Sequence, residues 1–142
     1  MSSLTIDVLD PIKLPLVARL YKQYYPSGKA KKDELTIVGY WEQQLAAVVR
    51  FRSIEQYRLL TGMLVVPDQR EKGLGHQLMA YCQDKVLTGL DYCFAYQHLE
   101  SFYAQHGFVM VEESALPNSL RQLFIRYSGS GKKLVAMHYQ TS

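Results

Sequence analysis

The stretch that decides the fold begins in an apolar strand and ends inside a helix: Gly62-Met63-Leu64-Val65-Val66-Pro67-Asp68-Gln69-Arg70-Glu71-Lys72-Gly73-Leu74-Gly75-His76-Gln77-Leu78. The strand ends at Pro67, a turn with two basic residues follows, and two glycines precede the start of the helix. Glycine lets backbone amides approach a ligand closely. The first amides of a helix lack internal partners, and the helix dipole favours an anion beside them. The stretch therefore predicts a site for phosphate or pyrophosphate, to which Arg70 and Lys72 add positive charge.

Two common nucleotide motifs do not match this stretch. A P-loop places Gly-Lys-Ser/Thr at the start of the helix, where this chain has Gly75-His76-Gln77. A dinucleotide fingerprint has a third glycine three residues past the second, and that position is Leu78. The glycines alone are also compatible with a turn that binds no ligand, so the rest of the chain must decide.

Upstream of this stretch, the sequence predicts mostly strands. Leu4, Ile6 and Val8 alternate with polar residues and indicate a first strand. Helical spacing follows in a segment that opens at Asp10-Pro11 and ends before Pro26. Three strand-like runs then cover Leu35 to Tyr40, Leu45 to Ser53 and Tyr57 to Val66, and Trp41 to Gln44 is predicted as a hairpin turn.

Downstream, helices and strands alternate. A helix starts at Leu74, and later helices are predicted over Leu99 to His106 and around Leu116 to Tyr127. Strands are predicted over Asp91 to Tyr96, Phe108 to Val111 and Leu134 to Tyr139. Neither a repeat nor a dividing linker is evident. The prediction is one α+β domain over residues 1–142, with a mixed, mainly antiparallel sheet flanked by helices.

The composition excludes several classes of protein. The 142 residues are 48% hydrophobic with a net charge of +3, which suits a polyanionic small molecule but not a dedicated nucleic-acid binder. Cys82 and Cys93 form no Cys-x-x-Cys pair, so neither a disulfide framework nor a metal site is expected. Neither a signal peptide nor an apolar run long enough for a membrane span is evident. A soluble, cytoplasmic protein is predicted.

Two motifs together resemble one known family. Val66-Pro67 followed by Arg70-x-x-Gly73-x-Gly75 resembles the acetyl-CoA signature of the GNAT superfamily of N-acetyltransferases. Phe102-Tyr103-Ala104-Gln105-His106-Gly107-Phe108 is similar to that family's Phe-Tyr-x-x-x-Gly-Phe segment. The resemblance implies a GNAT-like fold with a V-shaped cofactor cleft, acetyl-CoA as the co-substrate, and no metal.

The resemblance also implies roles for particular residues. Backbone groups of Met63, Leu64 and Val65 would bind the pantetheine arm, and the amides of Arg70, Glu71, Lys72, Gly73, Leu74 and Gly75 would hold the pyrophosphate. Tyr103 corresponds to the tyrosine that protonates the departing CoA thiolate. An asparagine that is common seven residues before this tyrosine is absent, because Tyr96 stands there. Gln97 is the candidate to replace its contact with the pantetheine.

The general base is left open by the sequence. Glu55 and Glu100 are expected to be solvated, the alternative being that either acts as the base through water. His98 is a candidate near Tyr103, and His138 is expected to be structural. His106, beside Gly107, is expected to be a cap or a surface residue. Cys82 is expected in the core. Cys93 is expected near the cleft, where an acyl-cysteine role is disfavoured. Lys29, Lys31 and Lys32 are expected to form a solvated basic loop, the alternatives being contacts with the CoA 3′-phosphate or an acidic substrate.

The function predicted from these features is acetyl transfer from acetyl-CoA to a primary amine by direct attack. The acceptor, a small molecule or a peptide or protein, is not specified by the sequence. The alternative is a non-catalytic acetyl-CoA-binding regulatory module of the same fold. Two departures from the family pattern favour it: the missing asparagine, and Leu59-Leu60-Thr61 where some relatives carry a glutamate on the strand before the loop. A homodimer that uses the final strand and helix is mildly preferred. Neither a membrane nor a nucleic acid is an expected partner.

Overall fold

The computed structural model describes residues 4–25, 29–67 and 73–141. Within these ranges the chain forms seven strands and four α-helices, joined in places by short 3-10 turns. In chain order they are β1 (Leu4–Val8), α1 (Leu14–Tyr24), β2 (Leu35–Trp41), β3 (Gln44–Ile54), β4 (Tyr57–Val65), α2 (Leu74–Lys85), β5 (Asp91–Tyr96), α3 (Glu100–Ala104), β6 (Phe108–Met110), α4 (Asn118–Ser128) and β7 (Leu134–Tyr139).

The strands form one mixed sheet in the order β1-β2-β3-β4-β5-β7-β6. Five of the six neighbouring pairs are antiparallel, and β4 with β5 is the parallel pair. Helix α2 lies in the connection between these two strands, as a parallel pair requires. The predicted α+β domain with a mixed, mainly antiparallel sheet is confirmed.

Helices cover both faces of this sheet. Side chains alternate along a strand, so neighbouring residues of β3 face opposite ways. Val49 and Phe51 pack with Leu78 of α2 and Tyr103 of α3. On the other face, Val48 packs with the helix α1, and the helix α4 packs against β4 and β5. We call these the α2 face and the α1 face.

The element boundaries agree with the sequence to within a few residues, with one exception. The helix predicted over Leu99 to His106 is a five-residue α-helix, α3, preceded by a 3-10 turn over Gln97–Leu99. The hairpin between β2 and β3 turns through Glu42 and Gln43, both at positive φ, so it is tighter than the predicted four-residue turn. Among the described helices, none has the length and apolar character needed to cross a membrane.

Strands β4 and β5 stay together only at one end. The pairs are Arg58 with Asp91, Leu59 with Tyr92 and Leu60 with Cys93, and within the described ranges the pairing extends no further. A buried ion pair closes this end, because Arg58 Nε and Nη2 donate to the two carboxylate oxygens of Asp91 at 2.8 and 2.7 Å. Beyond Leu60 the strands diverge, which opens a V-shaped gap in the middle of the sheet.

Candidate active site

The gap between β4 and β5 is a cleft of about 880 Å³. Its walls are residues 59–65 of β4 and 94–96 of β5. The ends of α1 and α4 contribute on one face of the sheet, and the starts of α2 and α3 contribute on the other. A cavity of this size matches the range typical of small-molecule sites. The cleft therefore passes through the sheet and is open to ligand groups from both faces.

A bulge at Gly62 shapes the β4 wall. Opposite β3, the register moves from Val48–Leu64 to Arg50–Thr61, so β4 carries one extra residue there. Gly62 has φ +66, and a Cβ there would lie 2.7 Å from the Tyr21 hydroxyl and 2.8 Å from Arg50 Nε. The Tyr21 hydroxyl instead donates to the Gly62 carbonyl at 2.6 Å. Burial raises the pKa of Tyr21 to about 12, which keeps this donor protonated.

The start of α2 lies at the edge of the cleft. Gly73 is its N-cap in the left-handed conformation, with φ +72, and the first helical bond runs from the Gln77 amide to the Gly73 carbonyl at 3.1 Å. The amides of Leu74, Gly75 and His76 precede that bond, at the positive end of the helix dipole. Both Gly73 and Gly75 line the cleft. This arrangement fits an anion that approaches from the α2 face.

The remaining predicted cofactor contacts fall into three groups. Arg70, Glu71 and Lys72 lie outside the described residues. Met63, Leu64 and Val65 line the cleft, on the part of β4 that does not pair with β5. The Leu74 side chain is fully buried, so only its backbone is available to a ligand at the helix start. These placements agree with the predicted roles, which stay predictions.

Gln97 lies elsewhere. Gln97 is exposed, and its backbone amide donates to the Lys133 carbonyl at 3.1 Å. It lines a shallow depression beside α4 rather than the cleft. Nothing in this placement supports the predicted contact with the pantetheine. The position of the family asparagine, Tyr96, does line the cleft.

Tyr103 lies in the wall of the cleft, on the α2 face. Only 5% of the residue is exposed, and its ring packs edge-on against Phe102 and Phe108 at centroid distances of 5.1 and 5.9 Å. Burial, followed by the neighbouring Cys93 and two further tyrosines, raises its pKa. The phenol is therefore a neutral O–H donor across the physiological pH range, held by packing on both sides.

The two cysteines are unsuited to covalent catalysis. Cys82 and Cys93 are both free and buried. Burial raises the pKa of Cys82 to about 12 and raises that of Cys93 as well. A thiol acts as a nucleophile only as its thiolate, which these surroundings disfavour.

Of the three candidate bases, Glu55, Glu100 and His98, only His98 lies in the cleft wall. Its ring stacks against Tyr96, with a centroid distance of 5.9 Å. Glu55 lies at the exposed turn between β3 and β4, and Glu100 begins α3 outside the cleft wall. His138 is structural, as predicted from the sequence, because its Nε2 bonds to the Gly89 carbonyl at 2.6 Å and its ring stacks on Tyr92.

His106 is neither a cap nor a surface residue, which corrects the sequence prediction. It is 8% exposed, its Nε2 lies 2.8 Å from His76 Nδ1, and its Nδ1 lies 2.8 Å from Gln83 Oε1. Burial, followed by the neighbouring His76, lowers its pKa. The sequence missed this contact because its members come from α2 and from the turn after α3, which are distant along the chain.

A second polar group that the sequence missed lies on the α1 face of the cleft. Arg50, in the middle of β3, donates from Nη1 to Glu34 Oε1 at 2.8 Å and to the Lys29 carbonyl. Its guanidinium lies over the Tyr21 ring, 4.9 Å from the centroid. The arginine and glutamate side chains are only 7% and 4% exposed. The signal in the sequence was an arginine inside the apolar run Ala46-Ala47-Val48-Val49-Arg50-Phe51.

The site thus combines a splayed parallel strand pair, a glycine-rich helix start and a buried tyrosine. These features line one cleft and fit an anionic ligand that lies along a strand edge. Residues 16–124, well over half of the chain, match the family described as the acetyltransferase (GNAT) domain. The chain belongs to the GNAT acetyltransferase family. Among curated protein sequences, none matches the chain significantly.

Several solved structures are similar to the chain in fold. N-acetylglutamate synthase from Neisseria gonorrhoeae, complexed with coenzyme A and N-acetyl-glutamate, superposes with a TM-score of 0.74 at 15% identity, covering 99% of this chain and 36% of that one. Arabidopsis thaliana Naa50, with a bisubstrate analogue, gives 0.70 at 15% identity, covering 98% and 99%. The Escherichia coli ribosomal-protein-S18-alanine N-acetyltransferase gives 0.66 at 14% identity, covering 99% and 96%. At these identities the likeness is one of fold. The chain spans about a third of the synthase, the first of these.

Proposed function

We propose that the chain transfers an acetyl group from acetyl-CoA to a primary amine by direct attack. The observation that carries this proposal is the position of three features around one cleft. The glycine-rich start of α2, the free part of β4 and the buried Tyr103 all line it. A pyrophosphate at the helix start, a pantetheine along β4 and a thioester near Tyr103 form one continuous path for the donor.

The reaction follows from the chemistry of the groups along this path. The neutral amine nitrogen attacks the thioester carbonyl carbon, forming the C–N bond, and the C–S bond then breaks. The departing thiolate takes a proton from the Tyr103 hydroxyl, while a base takes the proton that the new amide nitrogen loses. His98 is the residue we assign to this second transfer, because it lies in the cleft wall and stacks on Tyr96.

The role of Tyr103 sets the test. Removing its hydroxyl leaves the ring packing against Phe102 and Phe108 in place, so the Tyr103→Phe variant should fold like the wild type. General acid catalysis contributes about 10²–10⁴-fold. We therefore expect kcat in a thiol-release assay to fall by about 100-fold, while the Kd for acetyl-CoA changes by less than about threefold.

A second variant separates the two assigned proton transfers. His98→Gln should lower kcat and kcat/KM for the amine and leave acetyl-CoA binding intact, because His98 acts on the acceptor. An unchanged kcat for Tyr103→Phe would refute its assignment. If acetyl-CoA binds and no amine releases thiol, the non-catalytic acetyl-CoA-binding module becomes the better description.

A further inference from the structure

The cleft is strongly cationic on one side of the sheet. Five basic side chains line it, and Glu34 is the one carboxylate among the described lining residues. That carboxylate is already paired with Arg50. The basic residues are Lys29, Lys31, Arg50, Arg52 and Lys132. An excess of one charge in a partly enclosed cleft attracts a ligand of the opposite charge.

The direction of these cations separates them from the predicted pyrophosphate site. Arg50 and Arg52 alternate with Val49 and Phe51 along β3 and therefore point to the α1 face. Their contacts agree, because Arg50 lies over Tyr21 of α1 and Arg52 donates to the Tyr127 hydroxyl of α4 at 3.1 Å. The glycines at the start of α2 lie on the opposite face, where Gly75 adjoins Phe102. The donor and these cations thus meet the cleft from opposite sides.

Arg50 is the one buried residue among these five cations, yet it lines the cleft. Its Nη1 already donates to Glu34 and to the Lys29 carbonyl, and its Nε is enclosed by protein atoms. A ligand would therefore meet this guanidinium from its cleft side rather than at Nε, and a carboxylate is the group whose geometry suits arginine best.

We infer that the acceptor amine also carries a carboxylate, as an amino acid does, and that its carboxylate binds the Arg50–Arg52 side of the cleft. This inference rests on the proposed acetyl transfer and names its substrate class. Lys29, Lys31 and Lys132 surround the position as exposed cations and favour the approach of an anion. The amine is then presented to the cleft from the α1 face, opposite the donor.

The test compares matched acceptors in which one carboxylate is replaced by its amide, with kcat/KM expressed per neutral amine because the amide also lowers the pKa of a neighbouring amine. We would measure thiol release with L-alanine against L-alaninamide and with L-glutamate against L-glutamine, and include spermidine as a cationic amine. We expect kcat/KM to favour the free acid of at least one pair by tenfold or more. Equal use of acid and amide, or a preference for spermidine, would overturn the inference while leaving acetyl transfer intact.

Two neighbouring lysines provide matched variants. Lys31 lines the cleft, whereas Lys32 is exposed and lies outside its wall. Lys31→Gln should raise KM for the free acid by about two- to fivefold, as expected for one partly exposed charge contact, and leave KM for the amide unchanged. Lys32→Gln should change neither. Equal effects of the two variants would show a general charge effect and count against the inference.

A binding measurement separates this inference from the proposed function. Calorimetric titration of the CoA-loaded protein with each acid and its amide needs no turnover. If no amine releases thiol but a free acid binds more tightly than its amide, acetyl transfer fails and the carboxylate site stands. If neither acid of the two pairs is preferred in binding, the carboxylate site is refuted.

Discussion

The bulge at Gly62 connects the backbone of β4 to the buried arginine, so replacing this glycine tests the architecture of the site. A methyl group at position 62 would lie 2.7 Å from the Tyr21 hydroxyl and 2.8 Å from Arg50 Nε, closer than any real contact of a Cβ. The φ of +66 adds strain of about 1 kcal/mol for an L side chain. Displacing Tyr21 also removes its buried bond to the Gly62 carbonyl, which costs about 1–3 kcal/mol.

We therefore expect Gly62→Ala to lower the free energy of unfolding by about 3 kcal/mol, measured by urea denaturation. Gly131→Ala is the matched control, because Gly131 also has positive φ, at +91, but a Cβ there would have no neighbour within 4 Å. This control should lose only the strain, about 1 kcal/mol. Equal losses in the two variants would show that Tyr21 and Arg50 do not pack against β4 as described, and the reasoning would fail.

Three further changes test other parts of the site. Asp91→Asn should lower the free energy of unfolding by about 3 kcal/mol, because it removes the buried carboxylate that pairs with Arg58 where β4 and β5 meet. A loss below 1 kcal/mol in urea denaturation would contradict this. Gly75→Ala should keep or slightly raise stability, because the new methyl would make ordinary contacts of 3.4 Å with Phe102. A large loss of stability would exclude the described packing. His106 has a lowered pKa in the folded protein, so its contribution to stability is complete above pH 6.5 and is lost as the pH falls below that value. Urea denaturation at pH 7.5 and 5.5 should show a smaller difference for His106→Gln than for the wild type, whereas the exposed His98→Gln should keep the wild-type difference.

The part of the cleft that we propose for the donor could be predicted from the sequence because its elements are close along the chain. The strand end, the glycines and the helix start fall within 17 consecutive residues, 62–78. Tyr103 likewise lies in the short helix α3, four residues before Gly107. Glycine and proline mark the ends of such elements plainly in a sequence.

The acceptor side could not be predicted, because its parts meet only in the folded chain. Arg50 reaches the cleft from β3, Glu34 and Lys29 come from the segment before β2, and Tyr21 comes from α1. Single-residue alternation would place Arg50 on a face, but it does not say which helix covers that face. Gln97 shows that closeness in sequence is not enough either. It follows Tyr96, which lines the cleft, but Gln97 itself lies outside the cleft.

The short pairing of β4 with β5 explains why the two sides of the site can differ so completely. A sheet normally separates its faces, but here the strands diverge after Leu60 and Cys93, and a ligand group on either face can reach the same gap. The α2 face provides backbone amides and a neutral phenol, which suit a long polyanionic donor. The α1 face provides guanidinium and ammonium groups around a buried ion pair, which suit a compact anion. The groups on the α2 face are positioned by elements close along the chain, whereas side chains on β3 and the loops provide the cations on the α1 face. If the proposed function holds, substitution on the α1 face would change substrate choice without altering the residues that we propose for the donor.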